Sequence, residues 1–127
     1  MFKYYNKNPL NKRVGDCVIR ALSKALNKSW EDVYIELCVY GLYFADMPSS
    51  NATWGAYLLN NGFERHILPN TCPDCYTIAD FATEHPRGVY VVATGTHVVA
   101  VENGNIYDSW RSENEIPIYY FKKKEHK

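Results

Sequence analysis

A chain of 127 residues, 46% of them hydrophobic and 15% aromatic, is long enough for one well-packed domain and short for two. Fourteen Lys and Arg balance fourteen Asp and Glu, so the net charge is zero. That balance excludes a protein that holds nucleic acid through clustered cations. The one basic run, Lys122, Lys123 and Lys124 with Lys127, reads as a flexible, solvated tail over residues 122–127. The longest apolar stretches, Val89 to Ala93 and Val98 to Val101, fall far short of the ~20 residues of a spanning helix, so no membrane partner is expected. The opening Met1-Phe2-Lys3-Tyr4-Tyr5-Asn6 lacks the apolar core of a secretion signal. The expected location is the cytoplasm, where the four cysteines are expected to be free thiols.

The first half of the chain reads as helices. One is predicted to begin at Cys17 with Asp16 as N-cap, carrying Val18, Ile19, Leu22, Ala25 and Leu26 as an apolar stripe, and to break at Asn27-Lys28. Ser29 and Asp32 form a capping-box pair for a second helix. Its buried face is predicted as Trp30, Val33, Tyr34, Leu37 and Cys38, with Gly41 as its stop. After the loop Met47-Pro48-Ser49-Ser50-Asn51, a shorter helix carries Trp54, Tyr57 and Leu58 up to Asn61-Gly62. Thr77 and Asp80 make another capping box for a short helix that ends before Pro86. From Gly88 the pattern turns to strands: Val89 to Val92, His97 to Val101, Asn105 to Trp110 and Ile116 to Phe121. Helices followed by an antiparallel meander make an α+β fold.

Three residues in this layout invite chemistry. A cysteine in the first turn of a helix, Cys17, feels the positive end of the helix dipole, which stabilises a thiolate. Its alternative role is that of a small buried hydrophobe. Asn103-Gly104 predicts a two-residue hairpin loop, and the register that follows sets Ala100 opposite Tyr107 and His97 diagonal to Asp108 on one face. Diagonal neighbours lie ~7–8 Å apart, a gap an imidazole and a carboxylate can bridge. The same face carries Val99, Val101 and Ile106, an apolar wall for the pair, and Trp110 lies just beyond as a shield or as plain core. Nucleophile, base and orienter are thereby assigned to Cys17, His97 and Asp108.

The remaining polar features read as structural. Asp16 serves as cap and pairs with Arg20 at four-residue spacing. Cys72-Pro73-Asp74-Cys75 offers half a zinc site or a redox pair, but no second CxxC or paired histidines follow. Cys38 sits on a helix core face, while His66 and His85 stand alone, so the CxxC reads as an ordinary loop with two thiols, and no metal or cofactor is expected. The eleven tyrosines fall mostly at apolar positions and read as packing.

Gly15-Asp16-Cys17-Val18-Ile19-Arg20-Ala21-Leu22, with Gly95-Thr96-His97-Val98-Val99-Ala100-Val101 and Ile106-Tyr107-Asp108-Ser109-Trp110, resembles the papain-like cysteine peptidases in a small bacterial or phage form. The resemblance implies one domain over residues 1–127 with the nucleophile at the start of its first long helix, packed on an antiparallel sheet. It implies a cysteine hydrolase, a peptidase in the first instance, acting on a peptide or protein substrate through Cys17, His97 and Asp108. Papain-like enzymes carry a Gln six residues before the nucleophile. Asn11 stands there, which implies that its amide and the Cys17 N–H form the oxyanion hole. The Gly-Ser-Cys-Trp segment of papain is absent around Cys17. The alternatives are an inactive member of the fold that binds a partner protein, and a peptidoglycan amidase, which the lack of an export signal disfavours.

Overall fold

The computed structural model describes residues 1–125. Four helices, α1 (Cys17–Leu26), α2 (Trp30–Phe44), α3 (Asn51–Asn60) and α4 (Ile78–Glu84), accompany six strands. The strands are β1 (Phe2–Tyr4), β2 (Phe63–Ile67), β3 (Val89–Ala93), β4 (Val98–Glu102), β5 (Asn105–Asp108) and β6 (Tyr119–Lys123). They form one mixed sheet in the order β1-β5-β4-β3-β6-β2, in which β1 runs parallel to β5 and the other neighbours are antiparallel. The architecture is α+β. Among the described residues no helix is long and apolar enough to cross a membrane.

The sheet takes its register from one turn. Asn103 and Gly104 have φ of 51° and 80°, the left-handed pair a two-residue hairpin requires, and they set Glu102 opposite Asn105 and Ala100 opposite Tyr107. Strand alternation then divides the core into two. On one face, Val91, Ala93, Val98, Ala100 and Phe121 meet α1, α2 and α3 through Leu22, Val33, Leu37 and Trp54. On the other, Val92, Val99, Val101 and Ile106 meet Ile78, Phe81 and Ala82 of α4.

The helix starts follow local chemistry. Ser29, Ser50 and Thr77 each accept a backbone N–H with the side chain, from Asp32, Thr53 and Asp80 respectively. Only Thr77 and Asp80 close the reciprocal box; Ser29 and Asp32 make half of theirs. Asn27 ends α1 in the left-handed conformation at φ 53°.

Several expectations need correction. β1 and β2 were not predicted: three and five residues without clean alternation carry too little periodicity to separate from loop. The strand predicted to reach Trp110 ends at Asp108, and the last strand is shifted toward the C-terminus. Lys122 and Lys123 are no tail, because they belong to β6 and pair with Glu64 and Phe63; residues 126–127 of the predicted tail lie outside the described residues. Cys38 and Tyr34 are exposed and not part of a core face, because α2 contacts the body of the protein along the narrower line Val33–Leu37–Gly41. Cys72 and Cys75 are joined by a disulfide and are not free thiols. The loop folds back on itself there: the Thr71 hydroxyl donates to the Asp74 carbonyl and accepts from the Tyr76 N–H, and the two cysteine Cα atoms lie 4.2 Å apart.

Gly41 does not stop α2, which runs on to Phe44 and closes on Ala45 at φ 53°. Its lack of a side chain has another use. The chain turns back over it so closely that a Cβ would lie 2.7 Å from the Asp46 carbonyl oxygen and 3.1 Å from the Pro48 nitrogen, while its own carbonyl accepts the Asp46 N–H at 2.8 Å. A backbone oxygen cannot swing aside like a side chain, so Gly41→Ala is expected to lower stability by about 1–3 kcal/mol despite the better helix propensity of alanine, as read by urea unfolding.

Candidate active site

α1 starts at Cys17 because the Asp16 carbonyl accepts the Arg20 N–H at 2.8 Å and opens the helical ladder. The Asp16 side chain, however, caps nothing, contrary to expectation. Its Oδ1 accepts from Arg20 Nη1 at 2.6 Å and its Oδ2 from Trp30 Nε1 at 2.8 Å, so the carboxylate is drawn into the protein and away from the helix end. The first-turn N–H groups, that of Cys17 among them, are thus left without a side-chain acceptor.

His97 is fixed by a tight turn between β3 and β4. Its N–H donates to Thr94 Oγ1 at 2.9 Å, and its carbonyl accepts the Thr94 N–H at 2.8 Å. Imidazole Nε2 bonds Asp108 Oδ2 at 2.6 Å, and the ring also makes a hydrogen bond with the half-buried Cys17 side chain, whose sulfur accepts from the Val98 N–H as well. The three residues assigned from the sequence are therefore brought together.

The wall behind them differs from the expectation. Val99, Val101 and Ile106 face α4, on the far side of the sheet from α1. His97 precedes β4 and Asp108 is the last residue of β5, so both stand at the end of the sheet and reach toward the start of α1. Trp110 supplies the outer cover, with its ring centroid 4.7 Å from that of His97.

Asp108 is fully buried, and an isolated carboxylate there would lose several kcal/mol of hydration. Four donors compensate: His97 Nε2, Arg20 Nη2 at 3.0 Å, the Ser112 hydroxyl and the Ser109 N–H at 2.7 Å. Bonds to a charged group contribute about 1.5–3 kcal/mol each, enough together to offset the loss. Burial pushes the Asp108 carboxyl up, but the bonds from His97 and Ser112 outweigh it and hold it below the usual carboxylate value. Burial likewise disfavours a charged His97, yet its bonds to Asp108 and Cys17 raise it to about 9. Burial opposes the Cys17 thiolate too, and is overcome by the His97 bond, the Val98 N–H and the nearby positive charges of His97 and Arg20, so the thiol falls below its ordinary value. The three shifts agree in direction: each favours the charged form of its group, the thiolate of Cys17, the imidazolium of His97 and the carboxylate of Asp108.

A cleft of about 330 Å³ opens over this group, walled by Arg13, Val14, Gly15, Thr96, His97 and Trp110. Asn11 is not among its walls. It sits on an exposed turn at φ 55°, its N–H bonded to the Asn8 carbonyl, so the amide assigned to the oxyanion hole is not brought to the cleft. The reason is local: the Asn8 side chain accepts from Leu10 and Lys12 N–H and folds 8–12 into its own loop. Sequence reasoning missed Arg20 and Ser112 as partners of Asp108. Arg20 lies three residues after Cys17, hence on the same helix face, which was a usable signal; nothing in the sequence pointed to Ser112. Among the described residues no group of three or more His, Cys, Asp or Glu is placed to hold a metal ion.

Comparison with protein-family models, with curated proteins and with solved structures finds no match to this chain. Its residues define an α+β protein with a Cys–His–Asp line, half-buried at Cys17 and buried at His97 and Asp108, at the junction of its first helix and its sheet.

Arg20 holds two buried carboxylates at once. Arg20→Met is expected to cost about 3–5 kcal/mol in urea unfolding, because it removes the guanidinium charge from both while they stay buried. Arg20→Lys is expected to recover only part of this, since one ammonium cannot reproduce a guanidinium fork spanning Asp16 and Asp108.

Proposed function

We propose that the protein is a papain-like cysteine hydrolase that cleaves an amide bond of a peptide or protein. The observation that carries this reading is the continuous line Cys17–His97–Asp108, in which the thiol is depressed and the imidazole raised. The papain-like arrangement is supported by the nucleophile at the start of α1 and the base and orienter at the ends of neighbouring strands.

In this mechanism the Cys17 proton passes to His97, and Asp108 fixes the ring and stabilises its charge. The thiolate attacks the substrate carbonyl carbon. The developing oxyanion is held by the Cys17 N–H, which as the first of α1 has no intrahelical acceptor. As the C–N bond breaks, His97 returns its proton to the leaving amine. Water, deprotonated by His97, then hydrolyses the thioester and restores the thiol. Peptide, isopeptide and side-chain amide cleavage share these steps.

One observation favours a second reading, a module that binds a partner protein without turnover. The outer face of α2 leaves Ile35, Val39, Leu42 and Tyr43 59–84% exposed, an apolar row of the kind that marks interaction surfaces. Thiol reactivity separates the two. Under the hydrolase reading, iodoacetamide alkylates Cys17 faster than the exposed Cys38 at neutral pH, as mapped by peptide mass spectrometry. Equal rates, or rates that follow exposure alone, would favour the binding module.

The pH dependence follows from the same groups. Hydrolysis requires both thiolate and imidazolium, so kcat/KM on a fluorogenic peptide pool is expected to rise as Cys17 deprotonates and to fall again near pH 9 as His97 loses its proton. His97→Ala is expected to lower kcat about 10²–10⁴-fold and to abolish the selective labelling of Cys17. A profile that climbs without an alkaline limb would rule out His97 as the acid.

A further inference from the structure

The charges around Cys17 are committed to one another, with one exception. Arg20 borders the cleft, but gives Nη1 to Asp16 and Nη2 to Asp108. Both carboxylates are buried, and each of their oxygens already accepts a bond. The exception is Arg13, which lines the cleft from an exposed segment four residues before the nucleophile. Among the described residues its guanidinium enters no ion pair. No Asp or Glu lines the cleft, in a chain whose acids equal its bases in number.

The uncharged walls lean the same way. The Thr96 and Ser109 hydroxyls and the Trp110 indole N–H line this cleft, and among the described residues none of them bonds to the protein. By contrast, the indole N–H groups of Trp30 and Trp54 are bonded to Asp16 and Asn51. A guanidinium and an indole N–H can only donate, and a hydroxyl can do so. The cleft therefore presents a cation and several donors, and no anion. A carboxylate matches that set, because it accepts at two oxygens and pairs with a guanidinium fork. An ammonium would meet Arg13 with like charge and find no acid.

We infer that this cleft receives a carboxylate of the substrate, held by Arg13, close to the bond that Cys17 attacks. The inference rests on the hydrolase reading above and names the substrate class for it: peptides that carry Asp or Glu beside the cleaved amide, or that end there in a free carboxylate.

The test uses the full chain and follows alkylation of Cys17 by iodoacetamide, mapped by peptide mass, in the presence of short competitors. These are acetylated, amidated tripeptides with Glu, Gln or Lys between two alanines, and acetylated trialanine with a free carboxylate. No competitor has to be cleaved, and Cys38 in the same sample reports any effect on the reagent itself. A carboxylate peptide is expected to protect Cys17 at a roughly 5–50-fold lower concentration than the Gln peptide, the ratio that one charge-assisted bond supplies at a partly exposed site. The Lys peptide is expected to protect no better than Gln. Protection by the Glu peptide assigns the carboxylate to an acidic side chain, and protection by free-ended trialanine alone assigns it to the substrate's C-terminus. With protection read against each variant's own unprotected rate, Arg13→Gln is expected to erase the preference and Arg13→Glu to transfer it to Lys. Equal protection by all four peptides, none at all, or a preference that survives Arg13→Gln would overturn the carboxylate site and leave the hydrolase reading standing. A carboxylate preference at a Cys17 no more reactive than Cys38 would overturn the hydrolase reading and keep the site as one that binds acidic peptides.

Discussion

Asp108 has no contact with water, and Arg20, which must remain charged, has almost none. Each would be intolerable alone; together with Asp16 they form a chain in which the guanidinium lies between two carboxylates, 2.6 Å from one and 3.0 Å from the other. Because such a chain is stable only when every member is in place, it fixes distances between elements far apart in sequence. Arg20 belongs to α1 and Asp108 to β5, so the pair ties the first helix to the end of the sheet. Trp30 adds the start of α2 through Asp16, and the Tyr5 N–H bonded to the Asp108 carbonyl at 2.8 Å adds the N-terminal segment.

The candidate site inherits its geometry from that chain. Signs alternate along it, from Asp16 through Arg20 and Asp108 to His97 and Cys17, whose charged forms these neighbours favour. Each charge therefore favours its neighbours. The Asp16 carboxylate turns inward toward Arg20 and Trp30, and this has a second effect: it withdraws an anion from the helix end that carries Cys17.

α2 contrasts with this tightly held region. It meets the body of the protein through few buried residues, and much of its apolar surface is left exposed. A helix seated on so narrow a line leaves a cavity of about 180 Å³ beside α1. Gly41 belongs to the same design: by admitting the returning backbone it brings Pro48 over to complete the cavity wall.

Much of the fold was legible wherever the deciding physics is local. Capping by Ser29 and Thr77 and the left-handed turn at Asn103-Gly104 depend on residues within a few positions of one another, and the register that this turn imposes carried the pairing of His97 with Asp108 across eleven residues. The edge strand β1 and the exposed face of α2 did not follow, because they depend on which surfaces meet over long separations. Asn11 shows the limit most clearly. Its spacing from Cys17 suited an oxyanion role, but spacing along the chain says nothing about where a loop folds, and Asn8 holds that loop apart. Arg20 shows the converse. Its helix face was readable, while its second carboxylate, 88 residues away, was supplied only by tertiary packing, since nothing short of the folded sheet brings Asp108 to it.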